Sequence, residues 1–243
     1  MVASVRDPQF QLKLDDIGPK AVPLPQQTRT YCPVGNEQMY NAVTEHFLRK
    51  GRTLKAEGFH LNKKKSQMLG VLQFEALRGE DPMTPFTVLI ANSYDKSVRA
   101  KIAAGMSVFY CTNMCVSGDA FTISHKHTRF VWPALMSMLE KVSVSAEAEY
   151  KKQILFRAML EQHLITNDQG YEILGLMRGR NILKSRMFQT ALEQWQNPEF
   201  EVFEDRNLWS LYNAATYAVK KRNPSKIVDY NPMIHKHFAQ IVE

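Results

Sequence analysis

Cys111 and Cys115, followed by His125 and His127, form a C-x3-C-x9-H-x-H series. Thiolates and imidazoles are the side chains zinc prefers. Tetrahedral ligation needs convergent donors, and H-x-H on a strand supplies them only at an irregular end. Cys111 also continues an apolar run with Met106, Val108 and Tyr110, where a thiol acts as a small buried hydrophobe. The set therefore reads as structural, and neither a metal nor another cofactor is expected. Asn92, Ser93, Asp95 and Ser97 form a polar turn, and such turns usually satisfy their own backbone. A metal-dependent hydrolase would draw on Asp95, Asp119, His125 and His127, but no spacing matches a metal or triad template. Phosphate loops, dinucleotide fingerprints, H-E-x-x-H, calcium loops and G-x-S-x-G elbows are all absent from the sequence. The reading leans away from an enzyme.

Basic residues offer a different chemistry. Lys63, Lys64 and Lys65 fall at a predicted hairpin tip, as a solvated turn or a basic finger for phosphates. Arg52, Lys55, Arg99 and Lys101 lie on neighbouring predicted strands, with Arg99 and Lys101 on one face. Arg178, Arg180, Lys184 and Arg186 cluster around a predicted helix start, where positive charge opposes the helix dipole. A negatively charged partner would explain them. Trp132, Trp195, Trp209 and Tyr212 could stack on bases, but Trp209 and Tyr212 share an apolar stripe and read as core. Asn213 on that stripe needs partners if buried.

These groups need a scaffold. Prolines at 19, 23, 25 and 33 make residues 1–35 an extended lead-in, open to use as a pairing arm between copies. Asn36 suits a cap, Met39, Val43 and Phe47 form a helix stripe, and Gly51 ends it. Residues 52–111 switch to strand-type runs separated by turns at 62–65, 79–82 and 95–96, which predicts an antiparallel meander. Gly58, Gly70 and Gly105 suggest bulges, and 120–123 a fifth short strand. Helices are expected from near Thr128, over 145–165, after a Thr166–Gln169 capping box, over 181–196, around 208–219 and over 231–242. The fold class is α+β: an N-terminal helix, an antiparallel meander of four to five strands, and a helical C-terminal half. With no flexible linker, 36–243 reads as one domain with subregions 36–127 and 128–243.

Composition is that of a folded protein, with 44% hydrophobic and 23% charged residues in 243. That excludes a disordered tail, a collagen-like rod and a disulfide miniprotein. Three cysteines are too few for a disulfide framework. Neither a signal peptide nor a membrane span is evident, so a cytoplasmic protein without a membrane partner is expected. Lys and Arg number 31 against 24 Asp and Glu, a net charge of +7. The excess favours polyanion partners.

Four stretches together resemble the phage/plasmid-like protein family known as domain of unknown function 932. They are Tyr31-Cys-Pro-Val-Gly-Asn36 with Met39-Tyr40, Ala91-Asn-Ser-Tyr-Asp-Lys-Ser97, Val108-Phe-Tyr-Cys-Thr-Asn-Met114 with His127-Thr128, and Asn207-Leu-Trp-Ser-Leu-Tyr-Asn-Ala-Ala-Thr216. Tyr94 and Lys96 stand where that family has His and Gly, and a lysine disfavours the positive-φ turn that glycine permits. The resemblance implies a phage, prophage or plasmid gene in a host cytoplasm and no known activity. It also groups Asn92, Ser93, Asp95, Asn113 and His127 as one pocket for a phosphate or base. The leading expectation is a non-catalytic protein binding nucleic acid, single-stranded DNA in annealing or recombination, with self-association in view. The alternative is an interaction protein that inhibits or redirects a host factor such as a defence nuclease. A metal-dependent hydrolase is third.

Overall fold

The protein is described from a computed structural model covering residues 2–5, 7–77, 80, 84–107, 114–115, 122–222 and 227–242. Two compact units emerge: Met1–Thr112 with Asp119–Ala148, and Asn113–Gly118 with Glu149–Glu243.

The first unit is built on a mixed sheet. Strands β2 (Leu54–Leu61), β3 (Gln67–Phe74), β4 (Phe86–Ser93) and β5 (Ala100–Ser107) form the expected antiparallel meander. The fifth predicted strand is β7 (Thr122–His125), antiparallel to β5, after the two-residue β6 (Met114–Cys115) counted with the second unit. The lead-in behaves differently from expectation. It opens with β1 (Ala3–Ser4), parallel to β2 of the same chain. A short 3-10 turn (Pro8–Phe10) and the four-residue helix α1 (Leu14–Ile17) follow. The arm is therefore used within the chain.

Helix α2 (Asn36–Arg49) packs its apolar stripe on one face of the sheet. Phe47 meets Phe74 at 5.2 Å and Phe86 at 5.4 Å between ring centres, and Tyr40 meets Phe59 at 5.7 Å. Such rings each contribute roughly 1.5–3 kcal/mol by burial. Register puts Met68, Gly70 and Leu72 opposite Asn92, Ile90 and Val88, so Asn92 shares the face of Phe74 and Phe86 that meets α2. Lys50 of the C-cap donates to Glu140 at 2.6 Å, and Gly51 takes φ +83 just beyond.

The strand glycines are not bulges. Gly58 pairs regularly with Val71, Gly70 with Phe59 and Gly105 with Thr87; the register shift lies between Leu54 and Ala56. Gly58 is required by close approach, since a Cβ there would stand 2.2 Å from the Phe10 carbonyl oxygen. Arg52 is equally constrained. It is 5% exposed, pairs with Glu80 at 2.7 Å and lies 4.0 Å over the Phe86 ring centre. It is a core ion pair, not a surface cation.

Helix α3 (Val131–Gln162) is continuous where two helices were expected. Pro133 sits in its first turn, where no N–H partner is lost. The second unit holds the end of α3, α4 (Asn167–Gly179), α5 (Ser185–Gln196), α6 (Leu208–Arg222) and α7 (Ile227–Val242). The predicted capping box is present: Thr166 accepts from the Gln169 N–H and Gln169 from the Thr166 N–H. Trp209 and Tyr212 are buried and stacked 5.5 Å apart. Asn213 donates to the Trp209 carbonyl at 2.9 Å.

Packing and burial at Gly58, Gly175 and His235 each have a measurable consequence. Gly58→Ala should lower the denaturant midpoint by an amount equivalent to about 1–3 kcal/mol. Gly175→Ala, inside α4 with nothing within 4 Å of the new Cβ, should raise stability by about 0.5–1 kcal/mol. His235 lies 4.2 Å from Phe156, and burial pushes its imidazole down to about 4 against a smaller opposing effect of Glu149. A lowered folded pKa means the unfolded chain binds more protons between the two values. Stability is therefore complete above about 6.5 and falls as pH drops toward 4, by on the order of 3 kcal/mol for this group. Urea midpoints from pH 7.5 to 4 should show that loss, and His235→Leu should flatten it.

Candidate functional site

Stretches far apart in the sequence meet at one end of the sheet of the first unit. The Asn92 amide donates to the Val34 carbonyl at 2.7 Å and to Asn36 Oδ1 at 2.8 Å. A carbonyl can only accept, so Nδ2 must face Val34 and Oδ1 must face His127. His127 Nε2 stands 2.8 Å from that oxygen and carries the proton. Burial, then the nearby His125, lowers the His127 pKa. The ring is neutral at pH 7, with its lone pair on Nδ1. Nearby, the Asn36 N–H donates to the Tyr94 hydroxyl at 3.0 Å, and the Tyr31 hydroxyl to the Tyr94 carbonyl at 3.3 Å. The Cys32 N–H reaches the His127 carbonyl at 2.9 Å, and the Tyr31 ring lies 5.7 Å from the imidazole. Asn36 is thus the first helical residue with a buried side chain, and Gly35 takes the cap position.

Topology delivers these groups together. In a meander alternate turns share an end, so the β2–β3 tip and the β4–β5 turn are neighbours. Ala100 pairs with His125, so β7 delivers Lys126 and His127 to that end too. Asn62 shapes the first tip by accepting from the Ser66 and Gln67 N–H groups at 2.8 and 3.2 Å. Ser66 Oγ then donates to Asp95 at 2.6 Å, tying one tip to the other. Within the second turn, Ser93 Oγ donates to the Val98 carbonyl at 2.7 Å and accepts from its N–H at 3.0 Å. The Ser97 N–H donates to Asp95 at 3.0 Å, as does its hydroxyl, while Gln67 donates to Ser97 Oγ at 2.7 Å. Burial works against the Asp95 charge, but the bonds from Ser66 and Ser97 outweigh it and hold the carboxyl below its usual range.

Lys96 adopts the glycine-like conformation that its side chain disfavours, at φ +63. Its ammonium rests 4.7 Å over the Tyr31 ring centre, an attraction of about 0.5–1 kcal/mol at an exposed site. Lys65 also takes a positive φ, +54, at the other tip. Beside the turn is an open cleft of about 360 Å³ lined by Thr30, Tyr31, Lys96–Arg99 and Lys126–Thr128. Its lining includes three cations, hydroxyls and His127, and no carboxylate. Among the described residues, none of Lys96, Arg99 and Lys126 has an acidic partner.

The remaining expected residues divide clearly. Lys63, Lys64 and Lys65 are exposed on the hairpin tip, and Arg99 is exposed in the cleft. Lys101 is half-buried in β5 opposite Ala91 and Ser124 and does not line the cleft. Asn92 and His127 are hydrogen-bonded, but of the grouped residues that are described only His127 lines the cleft; Ser93 closes the turn and Asp95 is held by Ser66 and Ser97. His125 is half-buried, with Nδ1 2.7 Å from the Lys126 carbonyl. Cys111, Asn113 and Asp119 lie outside the described residues, as does the Cys115 side chain. Arg178 and Arg180 belong to the second unit and stand at the C-terminal end of α4, where positive charge favours the dipole. They bond Ser185 Oγ at 2.9 Å and His237 Nδ1 at 3.1 Å. Helix stability therefore accounts for them, and the reason for assigning them a partner falls away. Lys184 and Arg186 do occupy a helix start, that of α5, and are exposed. Lys96 and Lys126 were missed as site residues. The strand-end position of one and the glycine-favouring position of the other were the available signals.

No protein-family model, curated protein or solved structure matches this chain.

The amide network gives a sharp test. Asn92→Ala strands the Val34 carbonyl, Asn36 Oδ1 and the His127 N–H, and should cost about 3 kcal/mol or more by urea unfolding. Asn92→Asp should be worse at pH 7, because a buried carboxylate would face two carbonyl oxygens. A loss below about 1 kcal/mol in both variants would show that the network does not hold this end together.

Proposed function

We propose that the first unit binds the phosphate backbone of single-stranded nucleic acid, with DNA of a mobile element as the target that the family resemblance favours. The observation that carries this reading is the joined pair of hairpin tips. They present Lys63, Lys64 and Lys65 on one tip and Lys96 and Arg99 on the other, the latter two lining with Lys126 a cleft without a carboxylate in its lining. Fold stability offers little reason for this charge: Lys65 and Lys96 both hold a positive φ, which costs a non-glycine residue roughly 1–2 kcal/mol. Cations on a rigid sheet end neutralise phosphates and release counterions. The role is binding and calls for no catalytic step.

Binding to fluorescent oligodeoxythymidylate over a salt series tests the proposal. Affinity should fall steeply with salt, and neutralising Lys63, Lys64 and Lys65 together should make the slope shallower by about one unit per lost phosphate contact. Lys65→Gly should separate function from stability. It relieves the left-handed strain and raises the unfolding midpoint, while weakening binding by roughly two- to tenfold. Lys152→Ala, at an exposed cation paired with Glu149, is the control and should leave binding unchanged. Salt-insensitive binding, or none at low salt, would end this reading.

A further inference from the structure

Resting on the backbone-binding reading, we propose that the cleft between the lead-in, the β4–β5 turn and the end of β7 is a pocket for a terminal phosphomonoester, the 5′-phosphate end of a nucleic acid strand.

The argument starts from charge. Lys96, Arg99 and Lys126 converge on one concavity of about 360 Å³. That volume is at the small end of the range for small-molecule sites and suits a single nucleotide end better than a duplex. A phosphodiester brings one negative charge, whereas a phosphomonoester brings between one and two near neutral pH. Three cations clustered in one pocket suit a phosphoryl group, and a proton at His127 separates monoester from diester. Thr30 and Thr128 add hydroxyls to the lining, while those of Tyr31 and Ser97 are committed to Tyr94 and Asp95.

His127 supplies the discriminating feature. It is only 7% exposed yet lines the cleft. Its Nε2–H is committed to Asn92, so the neutral ring's remaining polar atom is the Nδ1 lone pair. No protein partner engages that nitrogen among the described residues. A lone pair repels a phosphate oxygen unless a proton lies between them. A phosphodiester has no proton to give, but a phosphomonoester, with its second pKa near about 6, can carry one. The shared proton makes one hydrogen bond whether it is counted on the oxygen or on Nδ1. The charged surroundings of the ring point the same way. Lys96, Arg99 and Lys126 line its cleft, His125 opposes a second positive charge, and the nearby Asp95 carboxylate is engaged by Ser66 and Ser97.

The test compares 5′-phosphorylated and 5′-hydroxyl oligodeoxythymidylate of one length by fluorescence anisotropy, with thymidine 5′-monophosphate and inorganic phosphate as competitors. The phosphorylated strand should bind at least tenfold more tightly. Arg99→Ala with Lys126→Ala should remove that preference, weakening the phosphorylated strand at least tenfold more than the hydroxyl strand. His127→Gln, which keeps an N–H for Asn92, should narrow the preference without shifting the unfolding midpoint. Equal, salt-sensitive binding of both strands overturns the pocket and leaves the backbone reading intact. Tight binding of the monophosphate without either strand supports the pocket for a free nucleotide and overturns the backbone reading. Binding of inorganic phosphate as tightly as of the monophosphate overturns the assignment to a strand end. No binding of any probe overturns both.

Discussion

The side-chain amide of Asn92 constrains everything at the functional end of the sheet. It is fully buried, so each of its hydrogen bonds must be made within the protein. Its donors hold the lead-in at Val34 and the start of α2 at Asn36, and its acceptor holds His127 after β7. A single residue of β4 thereby locks three other stretches of chain into one geometry. The arrangement tolerates no exchange of donor for acceptor, because the Val34 carbonyl fixes the amide orientation. That orientation in turn fixes the imidazole tautomer, so a backbone oxygen ultimately decides which ring nitrogen can face a ligand.

The meander explains why the cations gather where they do. Connecting neighbouring strands by tight turns places every second turn at the same end, and the antiparallel β7 returns the chain to that end after β5. A tripeptide of lysines at one tip, Lys96 and Arg99 at the next, and Lys126 beyond β7 are separated widely in sequence but not in the sheet. The Ser66–Asp95 bond converts neighbouring tips into a linked surface. Asp95, an ionised carboxylate held by Ser66 and Ser97, makes no ion pair with these cations among the described residues.

Much of this was legible from residues alone, for identifiable reasons. Strong local signals gave the meander: turn residues between β-type runs, the α2 stripe, and the Thr166–Gln169 box. The grouping of the polar turn with His127 comes from the family resemblance and not from spacing. What escaped was decided by tertiary contact. Gly58 and Gly70 look like bulges in a sequence, but their missing Cβ atoms are required by Phe10 and Ile90. Arg52 looks like a surface cation, but Glu80, from a loop remote in sequence, encloses it in the core. Asn36 looks like a cap, yet its side chain is drawn inward by Asn92 while Gly35 caps the helix. Arg178 and Arg180 were assigned to the wrong end of a helix, because a boundary a few residues off reverses the sign of a dipole argument.

That reversal sharpens the case for the cleft. Where a cation improves its own fold, no partner is needed to explain it: Arg178 and Arg180 favour the end of α4, Lys50 meets Glu140, and Arg52 meets Glu80. The cations around the cleft lack such a return. Arg99 and Lys126 have no acidic partner among the described residues. Lys96 gains a weak contact with the Tyr31 ring but holds a backbone conformation that a glycine would adopt more readily. Lys65 holds a similar conformation at an exposed tip. Strain and like charge concentrated on a rigid sheet end, with a buried imidazole fixed beside them, are what a site prepared for phosphate requires.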